Sequence, residues 1–235
     1  MGFVDLHAHV LPALDDGAAD AATGLAMLRG LAQVGYELVA ATPHQKASQF
    51  LPTAEAIRAA HADLANRSPV HLALGAENFW DDVLFQRWKE RAIPSYDGGP
   101  AFLFEIHPED DPPRLEETLF QLRVEGRLPV MAHPERYRCF WSAPERLARL
   151  GQSIALVVDL GAVAGYHGWR PGRVARALVG DGVAHAVATD VHAPSDIRVA
   201  AEGIAWIKRK LGPAAVRRLL EDHPRAILAG ELPGS

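Results

Sequence analysis

The sequence predicts one α/β domain built on a parallel sheet. Two observations carry this. Seven short apolar runs recur along the 235 residues, each separated from the next by a segment of helical periodicity. The runs are nearly continuous in apolar character rather than alternating, as strands buried on both faces are. Strand–helix alternation with short connections gives a single parallel α/β domain, here residues 1–235. Seven units favour a distorted (β/α)7, TIM-like barrel, although a doubly wound open sheet has the same local pattern.

In chain order the strand candidates are FVDLHAH (3–9), ELVAATPH (37–44), VHLALGAE (70–77), AFLFEIH (101–107), LPVMAHPE (128–135), IALVVDLG (154–161) and AHAVATDVH (184–192). The first helix, AATGLAMLRGLAQVG, carries Leu25, Leu28 and Ala32 on one stripe and Gly35 as its stop. PPRLEETLFQLRVEG has Pro113 near its start, Leu115, Leu119 and Leu122 on one face, and Gly126 after it. Further helices are expected over 53–66, 80–91, 143–150, 172–180, 195–210 and 213–221.

Composition excludes some functions. Net charge is −5 and no basic run occurs, which argues against nucleic acid or an anionic membrane surface as the main partner. The single cysteine, Cys139, suits a reducing compartment. The start MGFVDLHAH lacks a basic segment followed by a long apolar one, and no run approaches a membrane span. A soluble, cytoplasmic protein is the expectation, with no membrane insertion.

The apolar runs finish on polar groups: His7 and His9, then His44, Glu77, Glu105, His133, and finally Asp190 with His192. In a parallel barrel the C-terminal strand ends meet at one mouth, so residues far apart in sequence can share a site. Side chains alternate across a strand, which sends His7 and His9 one way and Leu6 and Ala8 the other. Asp190 and His192 likewise oppose Val191. Taken singly, each strand-end histidine is more often a hydrogen-bonded structural residue; the recurrence at the same end of successive strands is what suggests a metal site. His61, His71, His107, His167, His185 and His223 fall outside the pattern. His71 and His185 would start strands, and His107 shares parity with Glu105.

The ordered set DLHAHVLPALDDG, ATPH, LGAE, FLFE, PVMAHPERY and ATDVH resembles the PHP (polymerase and histidinol phosphatase) superfamily over essentially the whole chain. It is most similar to the bacterial protein-tyrosine phosphatases of capsule and exopolysaccharide systems, with DDGA, AHPERY and EDHPRAIL the most telling pieces. The resemblance implies a centre of three divalent ions, most simply Mn2+, with Fe or Zn compatible. Its ligands would be His7, His9, Asp16, His44, Glu77, Glu105, His133, Asp190 and His192. Asp15 is left as a loop or capping residue, and Asp159 as a residue supporting the centre. Arg136 matches a phosphate-binding arginine, and Arg198 lies nearest to a second one, offset by a residue.

Mixed imidazole and carboxylate ligands suit Mn, Fe or Zn. Three divalent ions over four carboxylates leave the centre net positive and attractive to a phosphate dianion, while Arg136 adds a donor fork. The implied reaction is hydrolysis of phosphotyrosine on a protein partner, by family analogy a bacterial tyrosine kinase of exopolysaccharide synthesis. His44 or His192 could act as an acid if not fully engaged as ligands. The alternative is a phosphatase of a small phosphomonoester such as histidinol phosphate. A cysteine mechanism fails, since C-x5-R places Glu145 where arginine is needed and Arg146 one residue late. An amidohydrolase would want a strand-end lysine, and Lys46, Lys89, Lys208 and Lys210 do not supply one.

Overall fold

A computed structural model describes residues 2–47 and 49–234. The expected alternation is present, with two of the seven runs broken in the middle. The strands are β1 (Phe3–Ala8), β2 (Tyr36–Ala41), β3 (His44–Gln45), β4 (His71–Leu74), β5 (Glu77–Phe79), β6 (Ala101–Glu105), β7 (Leu128–Ala132), β8 (Ala155–Asp159) and β9 (Ala186–Ala188). Pro43, which has no N–H to donate, separates β2 from β3, and Gly75 lies between β4 and β5. Backbone bonds bridge both breaks: Gly75 N–H donates to Ala41 O at 2.8 Å and Glu77 N–H to Pro43 O at 3.1 Å.

All pairings between these strands are parallel, in two sheets ordered β1-β2-β4 and β3-β5-β6-β7-β8-β9. The segment after β9 returns to β1. Asp190 N–H donates to His7 O at 2.9 Å and His9 N–H to Val191 O at 3.0 Å, around a parallel bridge between Ala8 and Val191.

The helices are α1 (Ala21–Val34), α2 (Ala54–Ala65), α3 (Asp82–Lys89), α4 (Leu115–Val124), α5 (Pro144–Leu150), α6 (Leu160–Ala164), α7 (Trp169–Gly180), α8 (Asp196–Leu211), α9 (Pro213–Arg217) and α10 (His223–Leu228). Gly35 stops α1 as expected, at φ 118°, where its N–H caps Leu31 O. Leu115, Leu119 and Leu122 are buried on α4. The segment expected as one helix over 213–221 is α9 followed by a wider turn, Arg218–Asp222, with i→i+5 bonding. The short α6 and the closing α10 carry too few periodic residues to be read from sequence.

Two apolar layers separate cleanly. Between strands and helices lie large side chains such as Phe102, Phe104, Leu28 and Leu119. On the other face of the strands lies a second cluster rich in small side chains, among them Ala40, Ala73, Ala101, Ala132, Ala155 and Ala188 with Val4 and Leu6. The alternation is regular in β6, where Ala101 and Leu103 point inward and Phe102 and Phe104 outward. It fails in β1. Asp5 pairs with Val39 and Ala8 with Ala41, so three steps on β1 match two on β2, and a bulge lies between. Leu6 therefore joins Val4 in the inner layer while Ala8 joins the outer one. This corrects the expectation that Leu6 and Ala8 share a face: the bulge shifts the register so that His7 and His9 point inward above Leu6.

Candidate metal centre

The sheet delivers its polar residues to one mouth. Parallel register sets His44 beside Glu77 across β3 and β5, and Glu105 beside Phe79 across β5 and β6. Two residues reach the mouth through kinks. His133 follows the inward-facing Ala132, so a regular strand would turn it outward; its backbone instead takes φ 34°. Asp190 sits at φ 50°. Left-handed conformations in non-glycine residues cost on the order of 1–3 kcal/mol each and concentrate at functional sites.

Glu77 is the hub, with a side chain only 1% exposed. Its Oε2 lies 3.3 Å from His7 Nε2, 3.4 Å from His9 Nε2 and 2.9 Å from His44 Nδ1, and its Oε1 lies 2.9 Å from His133 Nε2. Asp190 Oδ1 lies 3.3 Å from His7 Nε2 and 3.5 Å from His9 Nε2. Glu105 Oε1 lies 3.4 Å from His44 Nδ1. At the outer rim Asp16, 53% exposed, reaches His44 Nε2 at 3.4 Å and His192 Nε2 at 3.5 Å. Four groups of donor atoms close enough to hold a cation result: His9, Asp16, His44 and His192; His7, His133 and Asp190; His7, His9 and Glu77; and His44, Glu77 and Glu105. Together they comprise the nine residues expected as ligands and no others among the described residues.

The donor chemistry fits cations. His44 Nδ1, Glu77 Oε2 and Glu105 Oε1 face one another, are buried, and have no hydrogen-bond partner. Buried lone pairs left this way are costly unless a cation satisfies them. The far nitrogens are already fixed. His9 Nδ1 meets Asp15 Oδ2 at 2.8 Å, His133 Nδ1 meets the Tyr137 hydroxyl at 3.2 Å, and His192 Nδ1 meets Asp190 O at 2.9 Å. Such partners orient an imidazole and present its Nε2 to the metal.

Electrostatics of the protein alone follow the same geometry. Burial works against the His9 imidazolium, but Asp15, Asp190 and Glu77 outweigh it and hold its pKa well above the ordinary value. Burial likewise opposes charge on His44, yet Glu105 and Glu77 push it up to about 10. Burial favours neutral Glu77 and Asp190, but His7 and the surrounding cations keep both carboxyls well below the usual range. The carboxylates are thus ionised and ready to bind a cation.

Beside the cluster lies a pocket of about 290 Å³ lined by Arg136, Asp159, Tyr166, His167, Asp190 and His192, among others. Arg136 Nη2 bonds Asp159 Oδ2 at 2.5 Å and Asp190 Oδ2 at 2.7 Å. One guanidinium therefore joins a ligand-set carboxylate to the pocket wall, and its Nε has no partner. His167 Nε2 lies 2.6 Å from Asp159 Oδ2. Arg198 is not among the residues lining this pocket. It lies exposed on α8, bonding Glu202 Oε1 at 2.5 Å and the Tyr166 hydroxyl at 2.6 Å, and touches the pocket only through Tyr166.

Three supporting residues escaped sequence reasoning. Asp15, expected as a loop or cap, has a side chain 1% exposed; besides His9 it accepts from the N–H groups of Gly17 at 3.0 Å and His44 at 3.0 Å. Burial alone would raise its pKa, but His9 and the backbone donors draw it down to about 2. His167 follows a helix too short to detect. Asp5 bonds the Thr189 N–H at 3.0 Å and the Thr189 hydroxyl, tying β1 to the end of β9. His107 stays outside the cluster, exposed, 3.6 Å from Asp110.

Residues 3–229 match the profile of a family described as capsular polysaccharide synthesis, CpsB/CapC. The chain belongs to the CpsB/CapC family. It is 33% identical to the tyrosine-protein phosphatase YwqE of Bacillus subtilis over 80% of this chain and 77% of that protein. It is 23% identical to the tyrosine-protein phosphatase CpsB of Streptococcus pneumoniae over 97% of this chain and 99% of that one. Among solved structures it superposes with a TM-score of 0.88, at 27% identity, on a chain from the crystal structures of YwqE and CpsB, described there as unique metal-dependent tyrosine phosphatases. That match covers 97% of this chain and 95% of the other.

Proposed function

We propose that this CpsB/CapC protein is a metal-dependent phosphomonoesterase acting on phosphotyrosine in proteins, with a bacterial tyrosine kinase of the same polysaccharide pathway as its physiological substrate. The observation that carries the reading is the convergence of nine donor residues, three of which (His44, Glu77 and Glu105) each have a buried atom without a hydrogen-bond partner, beside a pocket walled by Arg136. The names of its relatives support the activity. The whole chain is read as one domain, residues 1–235, with a distorted (β/α)7 barrel as its plan. Counting β2 with β3 and β4 with β5 as single strands gives seven, and the bridge from Val191 to Ala8 supports closure. Among the described residues no helix is long and apolar enough to cross a membrane, which is compatible with a cytoplasmic location.

His7, His9, Asp16, His44, Glu77, Glu105, His133, Asp190 and His192 would hold three divalent ions, Mn2+ in the simplest reading, with His7, His9, His44 and Glu77 each shared between groups. Such ions supply Lewis-acid polarisation of the phosphate and acidify water near neutral pH. The protein's own residues do the rest. Arg136 is held by Asp159 and Asp190 so that its remaining N–H groups can take equatorial phosphate oxygens. His44 and His192 stand at the open rim, and either would pass a proton to or from a phenolic oxygen only where it is not fully engaged as a ligand. A tyrosine leaving group, with a pKa of about 10, needs less protonation than an alkoxide. Arg198 is placed to help only through Tyr166.

The experiment is hydrolysis of a phosphotyrosine peptide, a phosphoserine peptide and histidinol phosphate by the metal-loaded protein. Faster turnover of the small phosphate than of the phosphotyrosine peptide would transfer the reading to the histidinol-phosphatase branch.

A further inference from the structure

Behind the β3–β5 pair a cleft of about 610 Å³ opens among α2, α3 and the segment leading to β6. Its position follows from strand alternation. Gln45 and Ala76 line the cleft, while their neighbours His44 and Glu77 belong to the metal cluster. The two sites therefore lie back to back across the sheet.

Four arginines line this cleft, Arg58, Arg87, Arg91 and Arg127, and none of its lining residues is a carboxylate. The chain has 29 acidic residues against 24 lysines and arginines, so this concentration of cations is not a consequence of composition. Arg87 and Arg127 are half-buried and held in place. Arg87 Nη2 donates to Gln45 Oε1 at 2.7 Å, and Arg127 Nη2 to Ile93 O at 3.3 Å. Each then has a further buried nitrogen without a partner, Nη1 of Arg87 and Nε of Arg127. Burial draws both pKa values down, with Asp81 the one carboxylate opposing this at Arg87. Asp81 lies near Arg87 and Glu125 lines the adjoining pocket with Arg91 and Arg127, but among the described residues none of the four arginines forms an ion pair; like charges gathered this way, with unpaired donors among them, are unfavourable in isolation and are relieved by an anion.

Ile57, Leu74 and Ile93 supply an apolar wall. The volume falls in the range of small-molecule sites, and guanidinium forks match phosphate oxygens. The geometry points to a second binding site, for a small organic phosphate carrying an apolar or planar body, with the phosphate on Arg87 and Arg127 and the body on Ile57, Leu74 and Ile93. It lies apart from the metal centre and does not rest on the phosphatase reading.

The test is calorimetric titration of α,β-methylene-ADP into the metal-loaded protein. Micromolar binding is expected, weakened at least tenfold in Arg87→Met and in Arg127→Met and retained in Arg136→Met, whose side chain faces the metal cluster. Should either of the first two variants lose its fold by circular dichroism, the exposed Arg58→Met and Arg91→Met are each expected to weaken binding several-fold. Absence of binding at millimolar concentration, or binding lost in Arg136→Met and kept in the cleft variants, overturns the proposal. Pyrophosphate binding as tightly as the nucleotide would remove the apolar-body part of it.

Discussion

One oxygen of Asp15 meets His9 Nδ1 at 2.8 Å, and His9 in turn points Nε2 at the Glu77 and Asp190 carboxylates. The same oxygen accepts the N–H of His44 at 3.0 Å, so this acid sets the position of two expected ligands without being one itself.

Removing it should loosen both. Asp15→Ala is expected to lower metal affinity and activity by about 10–100-fold, the usual cost of losing a group that orients a metal-bound histidine. Metal content by mass spectrometry and phosphotyrosine-peptide kinetics check this. Unchanged metal affinity in a folded Asp15→Ala protein would show that His9 needs no such support.

Chelation should cost stability as well as activity. The cluster gathers buried carboxylates and lone pairs that a cation satisfies. Cation at about a hundredfold its Kd adds roughly 2.7 kcal/mol, and a domain of this size shifts Tm by roughly 2–4 °C per kcal/mol. A fall of at least about 5 °C on adding EDTA, reversed by Mn2+, is expected in scanning fluorimetry. An unchanged Tm would argue that no ion occupies the centre.

The two arginines should differ. Arg136 bonds Asp159 and Asp190 at the pocket wall, whereas Arg198 is exposed and tied to Glu202 and Tyr166. Arg136→Lys should lower kcat/KM by roughly a hundredfold, because an ammonium cannot reproduce the planar fork. Arg198→Ala should change it by less than about fivefold, as expected of an exposed ion pair. The reverse ranking in steady-state kinetics would give Arg198 the phosphate role.

Acid should destabilise the fold at a point remote from the metals. Burial, with His223 nearby, lowers the His185 pKa to about 4, and its Nδ1 accepts the Leu156 N–H at 3.1 Å. Unfolded, the imidazole takes up a proton near pH 6.5, while the folded one resists until about 4. Stability from this group is therefore complete above pH 6.5 and declines on acidification, by up to about 1.4 kcal/mol per pH unit. His185→Asn keeps an acceptor for Leu156 but does not titrate. Its urea midpoint should fall less than that of the wild type between pH 6.5 and 5, and parallel curves would exclude His185 as the source.

Much of this was legible in the chain. Apolar runs buried on both faces read as parallel strands because their hydrophobicity is continuous, and the polar residues ending them read as one mouth because parallel strands share a direction. Residues whose role depends on a local break in regularity did not read. Strict alternation puts Leu6 with Ala8, and only the bulge opposite β2 undoes this. Alternation would also turn His133 away from the centre, and only its left-handed backbone turns it back.

By itself, then, the sequence determined the strand–helix alternation and the end of the sheet at which the polar residues closing the strands gather, both of which follow from periodicity and residue chemistry, whereas Asp16 was singled out only by resemblance to a family motif. The tertiary structure alone decided which nitrogen of each histidine faces the cluster, that Asp15 holds His9 while Asp16 reaches His44 and His192, and that Arg136 rather than Arg198 lines the pocket. Those are matters of side-chain direction fixed by contacts between segments distant in the chain, and no local pattern encodes them.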